Sequence, residues 1–215
     1  KQSTSYRCRG GGRRRRTTVV DKLCGRLLQN RLQLIANCEL PESQCGFRPG
    51  CDCMDAVFSV RQLVEKSFEH RQQTFCIFVD LRKAYDSVPR QALWQALLKL
   101  GVPPSLVSLI GFFHTNMEAT VRVAGESSGT IHVRNGLRQG CVMAPVLFNL
   151  FFGLVIERWR ETLAERDIDA GVSFRHVDGN LFPRSVRRAQ STLATDFEYA
   201  DDAVLLASSR RAVCV

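Results

Sequence analysis

With 215 residues, 45% of them hydrophobic, the chain can bury a substantial core, which excludes a disordered, low-complexity protein. The formal net charge is +9, yet residues 1–20 hold Lys1, Arg7, Arg9 and Arg13 to Arg16 with no acid, and removing those seven positives leaves +2. The basic character is therefore mostly an N-terminal feature, and the globular part has to be read through its motifs.

Nine cysteines on a chain of this length, without regular pairing, do not describe a secreted disulfide scaffold. Cys24, Cys76 and Cys141 sit in apolar segments, where a thiol behaves as a small hydrophobe. Cys45, Cys51 and Cys53 lie close together, but neither a CxxC pair nor an HxxxH accompanies them, so a zinc site is not expected. No signal-peptide pattern opens the chain. Val142 to Ile156 is apolar but too short for a membrane span, and it contains Pro145, Asn149 and Gly153. The expectation is an intracellular protein of the nucleus or cytoplasm, with no membrane partner.

In chain order, Arg9-Gly10-Gly11-Gly12-Arg13 and the arginines after it read as low complexity, so residues 1–18 are expected to form a disordered basic arm. From Asp21, Leu23, Leu27, Leu28, Leu32 and Ile35 fit the buried face of a helix. Glu42 to Gly50 reads as a loop, after which Asp52 caps a helix whose expected buried stripe is Val57, Val60, Leu63, Val64 and Phe68. Phe75-Cys76-Ile77-Phe78-Val79 has the apolar run of a buried central strand, with Asp80 at its C-terminal end. Ser87 and Pro89 open a helix through Leu93, Leu97 and Leu100 that Gly101 closes. Ser105 is expected to cap the next helix. Ala119 to Ala124 and Thr130 to Val133 read as a hairpin, Arg134 to Gly140 as a loop, and Pro145 to Ile156 as a buried helix.

The last apolar segment, Phe197 to Leu206, carries Asp201 and Asp202 at its centre and reads as strand, tight turn, strand, with Ala203 to Ala207 as the outer strand. Adjacent carboxylates repel unless a cation lies between or in front of them, and a divalent metal is the usual reason to hold such a pair at a turn. Asp80 is a third acid at a strand end. Three aspartates at the ends of neighbouring strands suit a two-metal site for in-line phosphoryl transfer.

Four stretches stand in order: Gln44-Cys45-Gly46-Phe47-Arg48-Pro49-Gly50, Phe78-Val79-Asp80-Leu81-Arg82-Lys83-Ala84-Tyr85-Asp86-Ser87-Val88, Leu137-Arg138-Gln139-Gly140 continuing to Asn149, and Tyr199-Ala200-Asp201-Asp202. Together they resemble the fingers and palm of reverse transcriptases from non-LTR, LINE-like retrotransposons, over roughly residues 20–208. The resemblance implies an α+β fold, the fingers and palm of a right-hand polymerase, with an antiparallel palm sheet packed on helices and residues 19–215 as one fingers–palm domain. It implies RNA-directed DNA polymerase activity on an RNA template and DNA primer with deoxynucleoside triphosphates. Asp80, Asp201 and Asp202 match the catalytic and metal-binding carboxylates, holding two Mg2+ ions or Mn2+ in their place. Arg48 matches the arginine on the triphosphate and Tyr85 the gate against a ribose 2′-hydroxyl. Gln139 and Gly140 match the segment lying against the incoming nucleotide, and Tyr199 a residue near the primer end.

Cys51-Asp52-Cys53 departs from the polar and basic stretch usual there, and the chain stops at Val215, before the next palm motifs and the thumb. A fragment with the thumb absent is therefore expected. A viral RNA polymerase shares the paired acids, but Tyr85 argues against it. A catalytically inactive, nucleic-acid-binding remnant is the alternative.

Overall fold

The computed structural model describes residues 19–119, 122–123, 126–127, 129–138, 140–168, 170–177 and 189–213. The expected basic arm and Gln139 lie outside these residues. The elements run α1 (Val19–Glu39), α2 (Cys53–Glu69), β1 (Phe75–Asp80), α3 (Ala84–Ser87), α4 (Arg90–Lys99), α5 (Pro104–Phe113), β2 (Glu118–Ala119), β3 (Arg122–Val123), β4 (Glu126–Ser127), β5 (Ile131–His132), α6 (Ala144–Glu165), β6 (Val172–Val177), β7 (Ala189–Ala194), β8 (Asp196–Tyr199), β9 (Asp202–Ala207) and α7 (Arg210–Val213). Helices and antiparallel ladders thus share the chain, the α+β architecture expected. No helix among the described residues is long and apolar enough to cross a membrane.

Two compact units divide the chain, one drawn from Lys1–Leu40 and Arg82–Leu154, the other from Pro41–Leu81 and Val155–Val215. In the first, α1 buries Leu28, Leu32 and Ala36, while Leu23 and Leu27, expected inside, are exposed. The apolar positions of this helix outnumber what one contact stripe can cover, and the stripe centred on Leu32 is the one used. Pro89 precedes α4, which buries Leu93 and Leu97, and Gly101 ends it with φ +76. Pro103, not Ser105, is the N-cap of α5, because Pro104 takes the first helical position and its missing N–H leaves nothing to cap there. Among the described residues the expected hairpin after α5 is carried by two short antiparallel ladders, β2 with β5 and β3 with β4.

In the second unit, Asp52 caps α2 with a reciprocal capping box, its side chain taking the N3 backbone N–H while Asp55 returns a bond of 2.7 Å to the Asp52 N–H. The buried face of α2 is Ala56, Leu63 and Ser67. Val57 and Phe68 lie in the open, so the true stripe is rotated from the expected one. The main sheet is antiparallel in the order β1-β9-β8, and β6 pairs with β7. Leu63 of α2, Val172 of β6 and Leu206 of β9 form the core, with Cys76, Ala194, Phe197 and Val204 packed on it.

Two expectations are reversed here. β9 is the central strand of this sheet rather than its outer one, and β1, read as a buried central strand, is an edge strand among the described residues. Cys76 packs on the core, but the cover stops short of Phe78, which is 74% exposed on the same face as Asp80.

Candidate active site

Alternation along β1 and β9 decides where the acids point. The register sets Cys76 opposite Leu206, Phe78 opposite Val204 and Asp80 opposite Asp202, so these six side chains share one face of the sheet. Tyr199, the last residue of β8, is paired with Asp202 from the other side and joins that face. Asp201 sits between Ala200 and Asp202 in the turn from β8 to β9. The apolar end of the face is buried in the core, and the acidic end, with Asp80 and Asp202, is exposed.

Directly opposed residues of an antiparallel pair have Cβ atoms about 4.5–5.5 Å apart, so two carboxylates there repel unless a cation neutralises them. Among the described residues the carboxylates of Asp80, Asp201 and Asp202 have no side-chain hydrogen bond and no ion pair. Hard carboxylate oxygens without a protein donor suit Mg2+, so the pair from β1 and β9 fits a divalent metal. No group of three or more His, Cys, Asp or Glu among the described residues is gathered closely enough to hold a metal ion by itself. The fit therefore rests on the facing pair, with Asp201 beside it in sequence.

The face opposite holds a second set of acids that the motifs did not single out. Asp196 and Glu198 alternate with Phe197 and Tyr199 along β8, so they point away from the Asp80 face, and both are buried. Arg160 of α6 grips Asp196 with two bonds, at 2.9 and 2.6 Å. Ser43 donates to the same carboxylate at 3.1 Å. Glu198 accepts from Gln44 Nε2 at 2.9 Å, while its other oxygen has no donor. Burial, and then the neighbouring charge and side chain of Asp196, push the Glu198 carboxyl up to about 7. The signal in the sequence was the spacing of two acids on one face of a strand whose other face is apolar and aromatic.

Arg48 is half-buried, and its Nη1 donates to the Pro41 carbonyl at 2.7 Å, which folds the Gln44–Gly50 loop back on its own start. In the other unit Tyr85, on α3, is half-buried and stacks on Phe148 with centroids 4.7 Å apart, and Phe148 stacks on Phe152 at 5.6 Å. The loop after β5 is seated by Gly136, where an added Cβ would lie 2.7 Å from the Asp86 carbonyl oxygen. Arg90 donates to the carbonyls of Gly136 and His114, both at 2.9 Å. Gly140 has φ +75, and an added Cβ there would meet nothing within 4 Å among the described residues. The structure thus brings together Asp80, Asp202 and Tyr199, with Asp201 in the adjoining turn. Tyr85 and Gly140 belong to the other unit.

The sequence model of reverse transcriptases (RNA-dependent DNA polymerases) matches residues 8–214. The chain belongs to the reverse transcriptase family. Among curated relatives of this reverse transcriptase, the probable RNA-directed DNA polymerase from transposon BS of Drosophila melanogaster is 28% identical over 134 residues, 61% of this chain and 15% of that protein. The Pol polyprotein from the type-2 retrotransposable element R2DM of the same fly is 27% identical over 167 residues, 78% of this chain and 14% of that protein. The RNA-directed DNA polymerase from its mobile element jockey is 26% identical over 134 residues, 61% of this chain and 14% of that protein. The chain therefore spans only a small part of these three relatives, which are retrotransposon polymerases of the non-LTR kind. Among solved structures, telomerase from Candida albicans superposes with a TM-score of 0.56 at 11% identity, over 94% of this chain and 32% of that one. Apo telomerase from Candida tropicalis gives 0.56 at 12%, over 95% and 39%. This likeness shows the fold, that of a right-hand polymerase.

Proposed function

We propose that this reverse transcriptase domain acts in RNA-directed DNA synthesis, with Asp80, Asp201 and Asp202 as the ligands of two Mg2+ ions, or of Mn2+ in their place. The observation that carries the reading is the register pairing Asp80 with Asp202 beside the turn that holds Asp201, in a chain of this family. Bound metal at such a site activates a primer 3′-hydroxyl and neutralises charge on the triphosphate.

The chain's own residues position the reactants. Tyr85, its ring braced on Phe148, crowds a ribose 2′-hydroxyl and so admits deoxynucleoside triphosphates. We assign Arg48 to the triphosphate as a charge-assisted donor, Gln139 and Gly140 to the incoming nucleotide and the RNA template, and Tyr199 to the primer end. RNA template, DNA primer and deoxynucleotides are partners found inside the cell, which is why we assign the chain to the nucleus or cytoplasm.

Primer extension on an RNA template with Mg2+ and deoxynucleotides tests the reading. Asp201→Asn and Asp80→Asn should each abolish extension, and Tyr85→Ala should admit ribonucleotides. Template binding with no metal-dependent extension, by this chain alone or joined to the C-terminal part of a relative's polymerase, would favour an inactive nucleic-acid-binding remnant.

A further inference from the structure

We propose that Gln44 and Glu198 are positioning residues that clamp the Ala200–Asp201 turn, and through it set the direction in which Asp201 presents its carboxylate. The proposal rests on the reading of Asp201 as a metal ligand. The segment Ser43 to Cys45 lies alongside β8 like a short parallel strand. Glu198 N donates to the Ser43 carbonyl and Cys45 N to the Glu198 carbonyl, both at 2.9 Å.

This places the Gln44 side chain, completely buried, against the start of the turn. Its Oε1 accepts from Gly46 N at 2.8 Å and from Ala200 N at 3.1 Å, and its Nε2 donates to Glu198 Oε2 at 2.9 Å. The amide can face only one way, because two backbone donors stand at one end and a carboxyl at the other.

Ala200 needs such a hold. Its φ is +58, a left-handed conformation that a residue with a Cβ adopts only when its surroundings impose it. Gly46 closes the other side, where a Cβ would lie 2.2 Å from Ala200 N. Ala200 is thus fixed by the hydrogen bond its N–H donates to Gln44 and by contact with Gly46, and Asp201 is the next residue along the chain. Glu198 holds the far end of Gln44, and Asp196 with Arg160 stands behind Glu198. None of these residues shares the face of Asp80 and Asp202, so they act through the turn rather than on a substrate. Because catalysis of this kind is sensitive to displacements of about 1 Å, a rigid turn is functional.

Mn2+ binding to the whole chain, followed by electron paramagnetic resonance without nucleotide or primer, tests the proposal. Wild type should bind, and Asp201→Asn should lose most of that binding. Gln44→Ala and Glu198→Ala should each weaken Mn2+ about tenfold, and Glu198→Gln, whose carbonyl accepts the same bond from Gln44, should restore most of it. A folded Gln44→Ala chain that binds Mn2+ as wild type does would overturn the clamp and leave the metal reading intact. Wild type that takes up no Mn2+ would overturn both. A measurement that needs no variant is amide exchange at Ala200 in the wild-type chain. Slow exchange is expected, and exchange at the rate of an open turn would overturn the clamp even if Gln44→Ala fails to fold.

Discussion

Asp80 and Asp202 stand directly opposite each other on adjacent antiparallel strands, and neither carboxylate has a side-chain hydrogen bond or ion pair among the described residues. Like charges so placed lower stability by roughly 0.2–1 kcal/mol. Asp202→Asn should therefore raise the stability of the metal-free chain by about that amount in urea unfolding with a chelator present. Mg2+ should raise the melting temperature of wild type and leave that of the variant unchanged. An Mg2+ response of equal size in both chains would remove Asp202 from the site.

Glu198 predicts a pH dependence of the opposite sense from an ordinary salt-bridged acid. Its carboxyl is pushed from its usual 4.5 to about 7, first by burial and then by Asp196. The folded chain therefore holds this proton where the unfolded chain has released it. Its contribution to stability is whole below pH 4.5, declines as pH rises through the interval, and is gone once pH passes 7. Urea unfolding at pH 5 and pH 8 should show a downward slope that Glu198→Gln flattens, with the variant more stable than wild type at pH 8. Parallel profiles for the two chains would place the titration elsewhere.

Three glycines should rank by what surrounds them. Gly136→Ala combines φ +87 with a Cβ 2.7 Å from the Asp86 carbonyl, and should cost on the order of 3 kcal/mol. Gly46→Ala, forced against the Ala200 backbone at 2.2 Å, should cost at least as much. Gly140→Ala meets open space and bears only the strain of φ +75, about 1 kcal/mol. Chemical denaturation of the three variants gives the order directly.

The Asp196 side chain is fully buried and its ion pair with Arg160 is 2.6 Å long, so removing the guanidinium strands a charge. Arg160→Met should lower stability by about 3 kcal/mol, the lower part of the range for broken buried pairs, since the Arg160 side chain is itself 33% exposed. Arg160→Met combined with Asp196→Leu should recover much of the loss, and a double variant no better than the single one would show that the pair contributes little. Thermal unfolding of both chains is the measurement.

What the sequence determined alone was everything set by near neighbours along the chain. Asp52 with Asp55 three residues on announced the cap of α2, Pro89 and Gly101 bounded α4, and the short apolar runs around Asp201-Asp202 could form only strands joined by a turn. The four ordered motifs carried the family. What the tertiary structure decided was which of several equivalent apolar faces is covered. Among the described residues β9 proved central and β1 an edge, Phe78 stayed in the open, and α1 and α2 each buried only part of the expected stripe, Leu28 and Leu32 but not Leu23 and Leu27, and Leu63 but not Val57 and Phe68. The link from Gln44 to Glu198 and Ala200, across more than 150 residues, was equally out of reach. A run of apolar residues records that burial is favourable but not which partner supplies it, because the hydrophobic effect has no direction and only packing and hydrogen bonding choose among the faces.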